Sequence, residues 1–158
     1  PDAPSTFTYE NVANAYTQGV ELSAHMKLSK GTYLDLSYTG MDARDVTRNR
    51  PLEGRSPHTF NASISSKYRP IGLEGVLKAT YRSPRPFYGS SAGAVNVIGD
   101  GSTGTILTPG YVDLDLQLTY TRYFFKVFFN ASNLLNSGDA NYNPRPPRTL
   151  VAGLQVEL

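Results

Sequence analysis

Seven stretches of this chain alternate apolar and polar residues with a period of two. In "VELSAHMKL", Val20, Leu22, Ala24, Met26 and Leu28 fall on one side of an extended strand. Glu21, Ser23, His25 and Lys27 fall on the other. The same pattern covers 33–39, 59–68, 73–82, 112–120, 125–132 and 149–158. A period of two is the signature of β-strands, whose successive side chains point to opposite faces. No helical stripe competes, so the chain reads as all-β. The alternation does not say which face is wet. A soluble sheet turns its apolar face to a protein core. A membrane barrel turns it to lipid and lines a lumen with the polar face.

The connections separate these cases. Ser29-Lys30-Gly31, Arg69 to Gly72 and Thr121-Arg122 are tight. Residues 41–58, 83–110 and 134–148 are long. Short and long alternate, so strands that each cross the full width put all short turns at one end. That asymmetry belongs to outer-membrane barrels; a sandwich has no physical reason to sort its loops by end. Tyr38, Tyr68, Tyr81 and Tyr120 close apolar faces with the same parity, as an interfacial girdle requires. Mean hydropathy is −0.35. That value does not exclude a membrane, because half the residues of such strands face water. No run approaches the ~18 apolar residues of a membrane helix.

Composition excludes other classes. The net charge of +2 offers no basic face for nucleic acid. Cysteine is absent, which excludes disulfides and thiolate metal sites. His25 and His58 lack carboxylate–histidine metal spacing. Asp113 and Asp115 share a face without a nucleophile motif nearby, so we read them as wall charges paired with Lys126 or Lys78 rather than as catalytic acids. We expect neither an enzyme nor a cofactor. "GDGSTG" offers one Asp100, too little for a calcium cage.

Seven strands leave two open edges, which lipid cannot hydrogen-bond. The last strand should run inward, so the first does too and starts on the extracellular side. We expect a transmembrane β-barrel segment of about seven strands, with "TFTYE" (6–10) as a possible partial eighth. The segment would be the C-terminal part of a larger barrel.

The pieces "YENVANAYTQGVEL", "YLDLSYTGMDARD", "NRPLEGRSPHTFNASISSKY", "LTPGYVDLDLQLTY" and "FKVFFNASNLLN" resemble the C-terminal barrel of TonB-dependent outer-membrane receptors, from about Tyr9 to Leu158. The resemblance implies a 22-stranded barrel around a plug domain that this chain does not contain. It implies TonB-driven import of a scarce nutrient: a ferric siderophore, haem, cobalamin or a glycan. Implied partners are the remaining barrel and plug, TonB acting through that plug, outer-membrane lipid and lipopolysaccharide, and the barrel assembly machinery. The tail "GLQVEL" fits the assembly signal of such barrels, with Gly153, Val156 and Leu158 as its elements. Leu158 stands where the family usually ends in an aromatic.

Long loops carry binding residues on such scaffolds. In 83–110, Phe87 and Tyr88 can stack on a ligand and Arg85 can meet an anion. In 41–58, Arg50 is the candidate among Arg44, Arg48, Arg50 and Arg55. Asp42, Asp45 and Glu53 there favour an internal ion-pair network. In 134–148, Asn141, Tyr142 and Arg145 can line a mouth, while Pro144, Pro146 and Pro147 stiffen it. Two other readings stay open: a structural or adhesive outer-membrane β-protein without energy coupling, and a soluble sugar-binding β-sandwich.

Overall fold

The computed structural model describes residues 14–88, 105–138 and 145–157. Among them lie β1 (Ala15–Ser29), β2 (Thr32–Asp45), β3 (Arg50–Pro51), β4 (His58–Tyr68), β5 (Leu73–Arg82), β6 (Arg85–Tyr88), β7 (Thr105–Thr108), β8 (Tyr111–Arg122), β9 (Phe125–Ser132) and β10 (Thr149–Val156). The seven long strands make one sheet in the order β1-β2-β4-β5-β8-β9-β10. Each pairs antiparallel with its neighbour. These are the seven strands expected from the alternation. "TFTYE" and Leu158 lie outside the described residues. The sheet is open, with β1 and β10 as its edges.

Register carries the alternation across every strand. Leu34, Ile64, Leu77 and Leu116 stand in one row on the apolar face. Ser37, Asn61 and Thr80 stand in one row on the polar face and bond in series: Thr80 Oγ1 donates to Asn61 Oδ1 (2.9 Å), and Asn61 Nδ2 to Ser37 Oγ (3.0 Å). A slip of one residue would reverse every face, so matched rows pin the register.

The apolar face is uncovered. Leu22, Phe60, Ile64, Leu77, Val127 and Leu154 are all exposed. Burying such a side chain in an apolar medium is worth about 1.5–3 kcal/mol. Many such residues on one face are tolerable only against lipid or protein. A sandwich would supply protein, but the one other sheet among the described residues is the β6–β7 hairpin. That hairpin sits by the long loops, where Gly54 N donates to Pro86 O (2.9 Å). The sandwich reading therefore fails.

Aromatic rings close the apolar face at both ends. Tyr38, Phe60 and Tyr81 form one row, with centroids 4.6 and 6.1 Å apart. Tyr68 and Tyr120 lie at the other end, where Tyr120 is 6.1 Å from Phe125. From Phe60 to Tyr68 is about 26 Å along the strand. Tilted by ~40°, that projects to about 20 Å, close to the ~25 Å apolar band of an outer-membrane barrel.

Two short turns use left-handed glycines: Gly31 (φ 88°) and Gly72 (φ 71°), which follows the 3-10 turn Arg69–Ile71. A Cβ on Gly72 would collide with the Thr121 carbonyl. The third turn differs from expectation. It lies at Tyr123-Phe124, not Thr121-Arg122, because Arg122 still pairs with Phe125. Tyr123 accepts φ 53° to close it. Phe124 thus leaves the strand and no longer breaks its polar parity. Phe128 does break it, and its ring lies over Gly153 on β10.

Candidate functional site

The long-loop end gathers most of the candidate residues. β2 continues to Asp45 and pairs there with β3, which brings Arg50 opposite Asp45. The guanidinium of Arg50 lies 3.9 Å from the centre of the Tyr88 ring. Tyr88 Oη donates to the Pro51 carbonyl (2.9 Å). Phe87 approaches Gly54, and Arg85 lies 5.4 Å over the Phe87 ring. Part of the long connection 83–110 is therefore a hairpin docked on the neighbouring loop. Arg50, Arg85, Phe87 and Tyr88 do come together. Burial pushes the Tyr88 phenol up, with Arg50 opposing, so it stays a neutral donor.

The charges of loop 41–58 largely cancel. Arg44 Nε bonds Asp42 (3.0 Å) and Arg48 bonds Asp45 (3.4 Å). The Arg44 guanidinium holds the Asp42 carboxyl below its ordinary range.

A second cluster involves the last long connection. Arg145 forms an ion pair with Asp113 and lies 5.3 Å over the Tyr111 ring. Tyr111 Oη also accepts from Arg82 (3.0 Å). Asp113 therefore pairs with a loop arginine, not with the strand lysines expected. Lys78 does stand opposite Asp115 in register, but Asp115 Oδ1 accepts from the backbone of Asn133 (2.9 Å).

Asn133 is the residue that sequence reasoning missed. It is buried, with φ 51°. Its Nδ2 donates to the carbonyls of Ser137 (2.9 Å) and Pro146 (3.0 Å), and its Oδ1 accepts from Ser137 N (2.7 Å). It ties both ends of the 134–148 connection to the top of β8. The available signal was an Asn directly after a strand, the residue type most tolerant of the left-handed region. Asn141 and Tyr142 lie outside the described residues, as does "GDGSTG".

His25 lies on the polar wall. Its Nδ1 is 2.5 Å from Asp35 Oδ1, and its ring stacks on Tyr33. Among the described residues, no three His, Cys, Asp or Glu side chains converge as a metal site.

The combination of an apolar belt, a polar face and loops sorted to one end matches a known family. Residues 1–134 match the family model described as TonB dependent receptor-like, beta-barrel. The chain belongs to that family. TonB-dependent receptors are outer-membrane transport proteins rather than enzymes. In them the apolar face meets lipid, and the long loops face outward. No curated protein matches this chain. Among solved structures it is similar to FpvA of P. aeruginosa, described as bound to heterologous pyoverdine with iron. The TM-score is 0.70 at 16% identity, over 90% of this chain and 19% of that one. It is also similar to the FrpB iron transporter of Neisseria meningitidis, F3-3 variant, with TM-score 0.63 and 16% identity, over 90% of this chain and 24% of that one. The F5-1 variant of FrpB, in its apoprotein form, has TM-score 0.62 at 15% identity, over 90% and 24%. The chain spans about a fifth to a quarter of the length of these TonB-dependent receptors.

Proposed function

We propose that this chain is the C-terminal wall of a TonB-dependent receptor that imports an iron chelate across the outer membrane. The open sheet carries this reading. Its edges β1 and β10 each present a row of backbone donors and acceptors. In lipid every one must be paired, so both edges need further barrel strands. The 22-stranded barrel, and a plug inside it, supply the rest. An iron chelate is favoured over cobalamin or a glycan because the solved neighbours are named for iron or an iron complex.

In this reading the wall does not itself drive transport. It holds the two loop clusters, one at Arg50, Arg85, Phe87 and Tyr88 and one at Tyr111 and Arg145, at the outer rim of the lumen. Arginine and aromatic groups there suit an anionic, partly aromatic chelate. The assembly role of Gly153, Val156 and Leu158 belongs to the same reading.

The test is growth of an iron-starved strain on defined ferric chelates with the complete receptor. Uptake that disappears when TonB is deleted supports the reading. Uptake independent of TonB would overturn the energy-coupled reading, and no uptake of any chelate would favour a structural or adhesive role. Replacing Arg85, Phe87 and Tyr88 together by alanine should weaken chelate binding, and unchanged affinity removes that loop from the site.

A further inference from the structure

Strand β8 carries its apolar parity past the inner ring row. Val112, Leu114, Leu116, Leu118 and Tyr120 share one face, and Arg122 is the next residue on it. Its register partner is Phe125, which in turn pairs with Val156. Arg122 therefore stands one step beyond Tyr68 and Tyr120, on the side that meets lipid and at the depth of the headgroups. Lys126 of the same hairpin pairs with Thr121 and has the polar parity instead. Among the described residues, Arg122 has no carboxylate partner. Glu157 comes near, since its N–H donates to the Phe124 carbonyl (2.8 Å). Its carboxylate continues the polar parity of β10, however, and accepts from Gln155 (3.4 Å).

Aromatic groups surround this arginine. Its guanidinium lies 4.8 Å over the Tyr123 ring, and its Nη2 donates to Tyr123 Oη (3.5 Å). Phe124 meets Phe125 edge-on at 5.9 Å, and Phe125 meets Tyr120 at 6.1 Å. Tyr123 and Phe124 are 83% and 61% exposed. Tyr123 holds its place at φ 53°, whereas the other described non-glycine residues with positive φ are all asparagines: Asn49, Asn133 and Asn136. Asparagine or glycine would close the turn with less strain, so the ring serves something besides the turn. Location names what answers the guanidinium. At that depth a bilayer presents one anionic group, the phosphodiester of a phospholipid, and a guanidinium grips phosphate through parallel N–H bonds. An amine-bearing headgroup would bring an ammonium to a face whose described residues at this end offer a cation and no carboxylate. A headgroup of hydroxyls meets the Tyr123 phenol instead. We propose that Arg122 and Tyr123 hold the phosphate of an anionic, amine-free glycerophospholipid of the periplasmic leaflet, with Phe124 seated among its glycerol and upper acyl carbons. The proposal rests on the outer-membrane placement above and adds a lipid site that the import reading does not require.

The experiment places the complete receptor in nanodiscs of equal parts phosphatidylethanolamine and phosphatidylglycerol, and native mass spectrometry counts the lipids it retains. The expected result is enrichment of phosphatidylglycerol by roughly fivefold, the scale of one arginine at an anionic surface. Arg122→Gln should abolish the enrichment. Lys126→Gln removes an equal charge from the polar face at the same end and should keep it. Equal retention of both lipids, enrichment that survives Arg122→Gln, or loss in both variants overturns the proposal. Heat-modifiable migration on gels verifies that each barrel has folded. If Arg122→Gln has not, Tyr123→Asn replaces it, because asparagine suits the left-handed turn; the enrichment should fall there too, and an unchanged value overturns the proposal. In cells, p-benzoylphenylalanine in place of Phe124 should cross-link to phospholipid. A cross-linked periplasmic protein, or no adduct, counts against the site. TonB-dependent uptake by the unmodified receptor separates the two readings: uptake without the enrichment sinks the lipid site alone, whereas enrichment without uptake supports the site and sinks the import reading.

Discussion

Arg145 reaches back 32 residues to form an ion pair with Asp113 at the start of β8. One oxygen of that carboxylate takes the guanidinium; the other is buried and has no hydrogen-bond partner among the described residues. The pair anchors the last long connection to the wall. Its cost structure is asymmetric, because removing one partner leaves the other charge stranded.

Arg145→Ala should therefore loosen the connection more than an ordinary surface substitution. Stranding a mostly buried acceptor costs about 1–3 kcal/mol, or roughly 5- to 160-fold in local opening. Hydrogen exchange at residues 145–149 reads this directly. Asp113→Asn/Arg145→Ala should recover much of the loss; exchange rates equal to wild type in the single variant would show the pair to be idle.

Asn133→Ala removes two donated bonds and one accepted bond, and places a Cβ-only side chain at φ 51°. Asn133→Gly relieves the backbone but not the lost bonds. Proteolytic nicking within 134–148 should rise in both, more in the alanine variant. If glycine restores full resistance, the backbone conformation alone matters and the hub role is wrong.

Gly153 lies beneath Phe128, and an added Cβ would approach the ring Cε1 to 2.6 Å. Gly153→Val should reduce the folded, inserted fraction, and adding Phe128→Ala should restore it. A pure recognition role for Gly153 predicts no rescue. Deleting the last three residues tests the tail independently: normal insertion would dismiss it as an assembly signal.

Leu77→Arg and Ser63→Arg lie on opposite faces of neighbouring strands. Arginine on the lipid side near the midplane costs about 2–4 kcal/mol, while the lumen side tolerates it. Unfolding of the complete barrel by denaturant should separate the two variants by that amount. Equal stabilities would contradict the assigned faces.

Asp42 lies at the outer end of β2, beyond the Tyr38 ring row. The Arg44 hydrogen bond lowers its pKa from an ordinary 3.8. A depressed value means the contribution is present above the unfolded pKa and is lost as pH falls through the folded one. Arg44→Gln should move the Asp42 titration, followed by carboxyl NMR, back upward. An unmoved titration would assign the shift to other neighbours.

The strands and their faces were legible because alternation is local. Leu22 and Ser23 declare opposite sides from adjacent positions, and every neighbouring strand repeats the pattern. Loop sorting and same-parity tyrosines then chose lipid for the apolar side. The turn at Tyr123-Phe124 was misplaced by two residues because Thr121 and Arg122 suit a strand end as well as a turn. The docked hairpin, Arg50 against Tyr88, Asn133 against Pro146 and Arg145 against Asp113 were invisible in the sequence. Each joins residues far apart in the chain, and no periodicity records where a loop folds back. Period and parity determined the wall; side-chain contacts between separate loops, which exist only once the strands are aligned, decided the shape of the mouth.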